Sequence, residues 1–343
     1  MQAIVFEGGS RWDVQAVPDP EPGPGQLRLK LLATGVCGTD QHLLDGGFIA
    51  SFPLIPGHEM LGEVETLGDG VLGPAVGTRV VVDNTRFCGR CRPCRRGNPL
   101  YCEQFVSLGC NAPGGFAEYV VVSAHACYPV DDLPALTAVL TEPTACAMHG
   151  VDVLGLSPAS DVLIFGAGPT GLLMSQLLMV GGAARVTVAA PTAAKLELAR
   201  SFGVAETVLM DRRDPELAAG KLHEIASHGF DAIVEATGSV AVLNSALPLL
   251  TMGGTLLVYG LAEEAAIAAI RPYDVFSREL SIKGSFAQAH CFDRAVLALR
   301  SGRVRTEGIV SDLVSIDGFA TALDNLKDSS RVKTVVELAG VSR

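Results

Sequence analysis

The sequence is short of positive charge. Twenty-six lysines and arginines stand against thirty-seven aspartates and glutamates in 343 residues, a formal net charge of −11. Such a chain has no broad positive field for nucleic-acid phosphates or an anionic membrane surface, so neither is expected as a partner. One dense basic cluster, Arg86, Arg90, Arg92, Arg95 and Arg96, lies among cysteines and reads as the solvated rim of a metal lobe. A basic leader followed by an apolar run is also missing, because Met1 leads into the alternating Ala3-Ile4-Val5-Phe6; no signal peptide is expected. Charge is absent from Val162 to Ala184, long enough to span a bilayer. Gly166, Gly168, Pro169, Gly171, Gly181 and Gly182 nevertheless divide that stretch into strand, turn and helix, so a buried strand–helix unit is expected and not a membrane span. Internal repeats and low-complexity segments are lacking as well.

Nine cysteines are present, an odd number without a secretory leader. A reducing, cytoplasmic setting is expected, in which clustered thiols hold metal in preference to forming disulfides. The length suits two domains, and 48% apolar residues suffice for a sizeable core.

Residues 1–150 are rich in glycine and proline, with short apolar strands at 26–32, 62–66, 79–82 and 116–122. Turn signals at 18–25 and 68–73 separate them, and this texture predicts a distorted β-barrel. Near Val151 the pattern changes. Strands at 161–166, 185–190, 207–210, 230–235, 254–260 and 280–284 alternate with helices at 169–180, 193–202, 217–227 and 240–250. That alternation predicts an α/β domain with a doubly wound parallel sheet over 151–284. The tail, 285–343, carries helical stretches at 292–301 and 316–328 and a strand at 333–338, and is expected to return to the first domain.

The strongest motif is Cys88-Gly-Arg-Cys91-Arg-Pro-Cys94 followed by Cys102, in a lobe over about 86–103. Four thiolates this close can close a tetrahedral shell around one zinc, with no open position, so a structural site is expected. The alternative is a set of buried free cysteines. A second motif, Gly166-Ala-Gly168-Pro169-Thr170-Gly171, follows a strand and opens a helix. Its glycines allow a tight turn and close approach of backbone to a pyrophosphate, with helix N-terminal amides facing the phosphates. A third constellation is scattered: Cys37 with Thr39 and His42, then His58 and Glu59, then Glu142. Thiolate, imidazole and carboxylate together suit a catalytic zinc with one position open. On spacing alone, Cys37 could equally be a packed thiol, His58 a turn residue and Glu142 a solvated carboxylate.

Taken in order, Gly35-Val-Cys37-Gly-Thr39-Asp, Gly57-His58-Glu59-Met-Leu-Gly62, the four-cysteine lobe, Gly114-Gly-Phe-Ala-Glu-Tyr119, Thr141-Glu142-Pro143 and the Gly166–Gly171 loop make the chain similar over essentially its whole length to the zinc-containing medium-chain alcohol dehydrogenases, in the polyol and sorbitol dehydrogenase-like branch. The resemblance implies a GroES-like distorted β-barrel catalytic domain beside a Rossmann domain. It implies a second zinc, held by Cys37, His58 and Glu142, with Glu59 a further ligand or the holder of its water; Cys146 is an alternative to Glu142. It also implies hydride transfer between a secondary alcohol or polyol and NAD or NADP, with zinc lowering the pKa of the substrate hydroxyl. Thr39 would take the proton and His42 would finish the relay. Thr237 joins the glycine loop as a cofactor-binding candidate, and a homodimer or homotetramer is expected.

Two departures qualify the resemblance. Sorbitol-type enzymes carry a tyrosine where this chain has Leu43 and an arginine where it has Ala287, so a fully hydroxylated six-carbon polyol is expected to fit less well than a shorter or modified one. At the end of the second strand of the cofactor domain Ala190 replaces the expected acidic residue, with Thr192 and Lys195 nearby and Arg185 more remote. Discrimination against a 2′-phosphate should be lost there, which slightly favours NADP. A non-catalytic cofactor-binding relative and a zinc-free quinone reductase are the competing readings, and the full ligand set weighs against both.

Overall fold

The structure is a computed structural model and describes residues 1–211 and 213–340. The chain forms two compact units. One comprises Met1–Ala145, Gln288–Gly302 and the chain from Thr306 on; the other comprises Cys146–Ala287 with Arg303–Arg305.

The first unit is organised around the strand Gln26–Gly35. Its leucines alternate, so that Leu27, Leu29 and Leu31 are at most 1% exposed and pack with Val64, Val80, Val120 and Val122. Seven strands form the sheet, in the order Val310–Ser315, Lys333–Glu337, Gln26–Gly35, Glu59–Leu67, Arg79–Val82 and Cys127–Pro129, with Tyr119–Ser123 also paired to Gln26–Gly35. All but one of these pairings are antiparallel. A hairpin, Gln2–Gly8 with Arg11–Ala16, bridges to this body at Ala3–Ala117 and Phe6–Leu54. A second apolar cluster gathers Ile4, Phe6, Leu43, Phe116 and Phe319. The sheet register sets Gly35 beside Glu59 on one side and Val335 on the other, and that places the ends of three strands together.

The second unit is a six-stranded parallel sheet in the order Glu206–Leu209, Arg185–Ala190, Asp161–Phe165, Phe230–Glu235, Leu250–Val258, Ser281–Gly284. Val162–Phe165 is wholly buried, as a strand covered on both faces must be, which explains why it reads as an unbroken apolar run. Starting at the strand before the glycine loop, the order steps one way and then reverses, the doubly wound arrangement expected from the alternation.

Several elements differ from their sequence-based outlines. The expected helix over 217–227 is a 3₁₀ turn, Pro215–Ala218, followed by Ala219–Ile225. The helix expected over 240–250 stops at Ala246 and passes through the 3₁₀ turn Leu247–Leu249, because Pro248 cannot donate its backbone amide to a continuing helix. The apolar stretch 256–270 reads in sequence as a candidate sheet edge for pairing between subunits, but its residues 256–258 belong to Leu250–Val258, which is paired on both sides, and the edges of the sheet are Glu206–Leu209 and Ser281–Gly284.

Candidate active site and metal centres

The four lobe cysteines converge. Their sulfur atoms all lie within 4.8 Å of one another, and none is in a disulfide. Sulfurs about 2.3 Å from a zinc stand about 3.8 Å apart at the corners of a tetrahedron; Cys91 Sγ and Cys102 Sγ are 3.9 Å apart. Backbone amides already point at the sulfurs: Cys88 N–H and Gln104 N–H donate to Cys102 Sγ, and Cys91 N–H donates to Cys88 Sγ, each at 3.3 Å. The amides of Arg90 and Cys91 lower the Cys88 thiol to about 6, whereas burial and the neighbouring thiols push Cys94 up to about 12. Four thiolates cannot share this space without a counter-ion, and a divalent, thiophilic cation fits the donor set.

The second cluster brings together Cys37, His58 and Glu59, whose ligand atoms also lie within 4.8 Å of one another. Cys37 is the N-cap of the helix Gly38–Leu44, so its side chain stands at the helix mouth. Its backbone N–H donates to Asp40 Oδ2 at 2.8 Å, while Asp40 Oδ1 faces His58 Nδ1 at 3.6 Å. Asp40 is fully buried and meets both residues, by a hydrogen bond at the Cys37 backbone and by a charge facing the His58 ring beyond hydrogen-bond distance. Burial opposes charge on His58, but Cys110 and Asp40 outweigh it and raise the imidazole well above its usual pKa; a bound cation would have to replace that proton. Thr39 Oγ1 is 3.7 Å from Cys37 Sγ, and His42 lies half-buried on the same short helix. Glu142 occupies the first turn of the helix Thr141–Leu154 and is 8% exposed, but it falls outside the 4.8 Å group. Cys146 follows one turn later on that helix.

Two residues of this centre carried no sequence-based role. Asp40 could have been found as the acidic partner of a helix-capping box. Lys333, ion-paired with Glu59 Oε1, is signalled only by a lysine opening a terminal strand whose next residues, Thr334, Val335 and Val336, are uncharged. Burial opposes its charge, and Glu59, Cys37 and Asp40 together raise its pKa. Leu43 is fully buried in the Phe6–Phe319 cluster, so its side chain serves packing in this chain.

In the second unit the glycine loop sits where the motif requires. Gly166 has φ +117, and a Cβ at Gly171 would collide with the Gly166 carbonyl, so neither position admits a side chain without displacement. The helix Pro169–Val180, in which Thr170 is the second residue, starts directly from Gly168 as N-cap and leaves its first amides open to an anion. A Cβ on Gly166 would stand 3.2 Å from Thr237 Cγ2, so Thr237 borders the loop; its hydroxyl and its amide donate to the buried Glu235. Ala190 is buried at the carboxyl end of its strand, Thr192 caps the helix Ala193–Ser201 and Lys195 lies in its first turn. Beside them a cavity of about 530 Å³ is lined by Pro191, Leu209, Met210, Asp211, Leu217 and Ala218. Arg185 is at the opposite end of that strand, ion-paired with Asp161, and this position removes it from the ribose end of the sheet.

Residues 23–132 match the alcohol dehydrogenase GroES-like domain family, and residues 169–301 match the zinc-binding dehydrogenase family. The chain is 41% identical to D-arabinitol dehydrogenase 1 of Uromyces fabae, over 98% of this chain and 97% of that one. It is 33% identical to D-altritol 5-dehydrogenase of Agrobacterium fabrum, over 88% of each. A zinc-binding dehydrogenase structure from Sinorhizobium meliloti 1021, bound to NADP, superposes with a TM-score of 0.91 at 32% identity over 98% of both chains. Two zinc-dehydrogenase domains in chain order, and identity to polyol dehydrogenases along almost the whole length, establish that the chain belongs to the zinc-containing medium-chain alcohol dehydrogenase family, in its polyol dehydrogenase branch, and is an NAD(P)-linked oxidoreductase of small alcohols.

Proposed function

We propose that the protein oxidises a secondary hydroxyl of a short or modified polyol, a pentitol foremost, or reduces the matching ketose, with NADP accepted ahead of NAD. The observation that carries this reading is the Cys37–His58–Glu59 cluster, in which His58 and Glu59 are buried, with its charged neighbours Asp40 and Lys333. The substrate class follows from the similarity to D-arabinitol and D-altritol dehydrogenases and from Ala287, which offers no charge to a longer polyol.

Cys37 and His58 would hold the catalytic zinc together with a carboxylate, Glu59 from the converged cluster or Glu142 from the helix Thr141–Leu154, and Cys88, Cys91, Cys94 and Cys102 would hold a structural one, giving two per chain. When bound, zinc supplies Lewis acidity toward a hydroxyl and the nicotinamide accepts hydride. The chain's own residues do the rest. Asp40 keeps His58 and the Cys37 backbone in place, the Thr39 hydroxyl holds the substrate proton, and His42 passes it toward solvent. The amides after Gly168 face the pyrophosphate, and Thr237 closes one side of the glycine loop. Ala190 leaves room at the ribose, where Thr192 donates a hydrogen bond and Lys195 offers positive charge to a 2′-phosphate.

The same reading extends to assembly and location. The edge strand Ser281–Gly284 and the exposed Met252 (67%), Ile267 (87%), Tyr273 (71%) and Phe276 (82%) favour a homodimer or homotetramer, checked by light scattering at micromolar concentration. Among the described residues no helix is long and apolar enough to cross a membrane. Nine free cysteines favour a reducing, cytoplasmic compartment, and the acidic balance disfavours nucleic acid. Metal analysis together with a screen of diols, pentitols and hexitols against both cofactors tests the proposal. It expects two zincs and the highest kcat/KM for a pentitol with NADP; one zinc or none, or no pentitol oxidation, rejects it.

A further inference from the structure

The helix Pro169–Val180 opens at the glycine loop and ends beside a surface cavity of about 280 Å³, lined by Gln176, Met179, Val180, Phe202, Arg303 and Arg305. All six belong to the second unit, with which Arg303–Arg305 is counted. A buried amide fixes the framework. Gln176 is 3% exposed; its Nε2 donates to the Arg305 carbonyl at 2.9 Å, and its Oε1 accepts the Arg305 N–H at 2.8 Å. This reciprocal pair holds the Arg305 backbone against the helix and so sets where its side chain leaves. Phe202 is buried, and the Arg305 guanidinium lies over its ring, with Cζ 5.4 Å from the centroid. Arg305 Nη2 donates to the Ser201 carbonyl, and the other N–H groups of that guanidinium have no partner among the described residues. Arg303 is exposed and has neither a hydrogen-bond nor an ion-pair partner among them. Carbonyls at the helix end would repel an anion, but the amides of Gly181, Ala183 and Gly182 donate to those of Leu177, Leu178 and Met179.

In a chain of net charge −11, two neighbouring guanidiniums without a carboxylate between them are a local exception. Their planar forks of donors match the oxygens of a carboxylate or a phosphate. Met179 and the half-exposed Val180 add apolar surface beside Phe202. No thiol, imidazole or carboxylate is among the lining residues, so the cavity has groups for binding and none for catalysis. Its volume lies just under the roughly 300–1,000 Å³ of drug-sized ligand sites. We propose that this cavity binds a small organic anion, a carboxylate or phosphate head on a short apolar body, with the head at Arg303 and Arg305 and the body on Phe202, Met179 and Val180. The helix has twelve residues and is about 18 Å long, so this ligand and the cofactor pyrophosphate occupy opposite ends of it and can be bound together.

Calorimetric titration of the full-length holoprotein tests this, with benzoate, phenyl phosphate and inorganic phosphate as probes. Saturation with whichever of NADP and NAD binds tighter keeps the probes off the glycine loop and the ribose end. At least one aryl probe should bind once per chain, about tenfold or more tighter than inorganic phosphate, because only the aryl group reaches the apolar floor. Which aryl probe binds tighter identifies the head that the arginines select. Arg303→Gln should weaken that probe about tenfold, and Val180→Glu, which sets a carboxylate at the rim, should weaken it at least as much. Both positions are exposed and lie outside the metal centres and the glycine loop, so zinc content and turnover should match wild type. Absence of aryl-probe binding up to roughly 10 mM overturns the proposal. So does inorganic phosphate binding as tightly as the aryl probes, the mark of an adventitious ion only, or an affinity that neither variant changes.

Discussion

The lobe tetrad and the Cys37 centre both converge to within 4.8 Å, yet they are assembled on opposite plans. The tetrad draws four identical ligands from the stretch between Cys88 and Cys102, and three of its cysteines are only half-buried. Its support is local, three backbone amides aimed at sulfur. The Cys37 centre takes ligands from a helix N-cap and from the start of a strand, and it is steadied by charged groups, Asp40 and Lys333, that are themselves buried. A site that only holds its ion can be a folded loop with a complete shell. A site that must admit a substrate needs its ligands fixed from outside, so that one position stays empty without the shell collapsing.

The largest expected break in this comparison is Glu142→Ala. Turnover should fall about a hundredfold or more, while the melting temperature moves by no more than about 3 °C, because a carboxylate serving a metal matters to chemistry before it matters to packing. Near-normal turnover would remove Glu142 from the site. Cys102→Ser should show the reverse. One zinc per chain is lost by metal analysis and the melting temperature drops by roughly 10 °C, as for other removals of a structural metal, with turnover of the folded fraction changed less than about threefold. Equal losses in the two variants would erase the distinction between the centres.

Ala190→Asp touches neither cluster and serves as the outside reference. A carboxylate there accepts a hydrogen bond from a ribose 2′-hydroxyl and repels a 2′-phosphate, so the kcat/KM ratio should move toward NAD by about tenfold, with zinc content unchanged. A wild type that already prefers NAD more than tenfold, or an unmoved ratio, would refute this reading of the ribose end.

The smallest effect concerns Asp83, beside the strands at the base of the lobe. Burial raises its pKa, opposed by hydrogen bonds from Thr85 and Gln288. A carboxyl raised in the folded state gives stability that is complete in acid and is lost as pH rises through the raised value. Thr85 and Gln288 all donate to Oδ1, an acceptor that asparagine keeps. Asp83→Asn should therefore melt roughly 1–3 °C above wild type near neutral pH, with the gap closing as pH falls into the ordinary carboxylate range. A gap that is constant with pH would show that Asp83 titrates as it does unfolded.

How far each part could be read from sequence follows the same division between local and distant contacts. The parallel sheet was legible because its strands are unbroken apolar runs between helical stretches, and Val162–Phe165 is buried on both faces. The return segment was read as helix and strand, but the strand Val310–Ser315 was missed, since its half-buried residues show no clean alternation. The break at Pro248 was overlooked because the apolar pattern continues through it. Leu43 looked like a lost substrate contact and proved to be core, because a helix only seven residues long turns that position inward.

The sequence by itself determined the features whose contacts are close along the chain. The cysteine spacing of the lobe and the glycines between strand and helix dictate local geometry wherever the rest of the chain goes. Tertiary structure alone decided that Asp40, the local capping partner of Cys37, would also face His58, that Lys333 would meet Glu59, and that Gly35 would have to be bare for them to meet. Those contacts join strand ends and a helix cap that only the sheet register makes neighbours, and no periodicity or spacing within one segment encodes a partner 274 residues away.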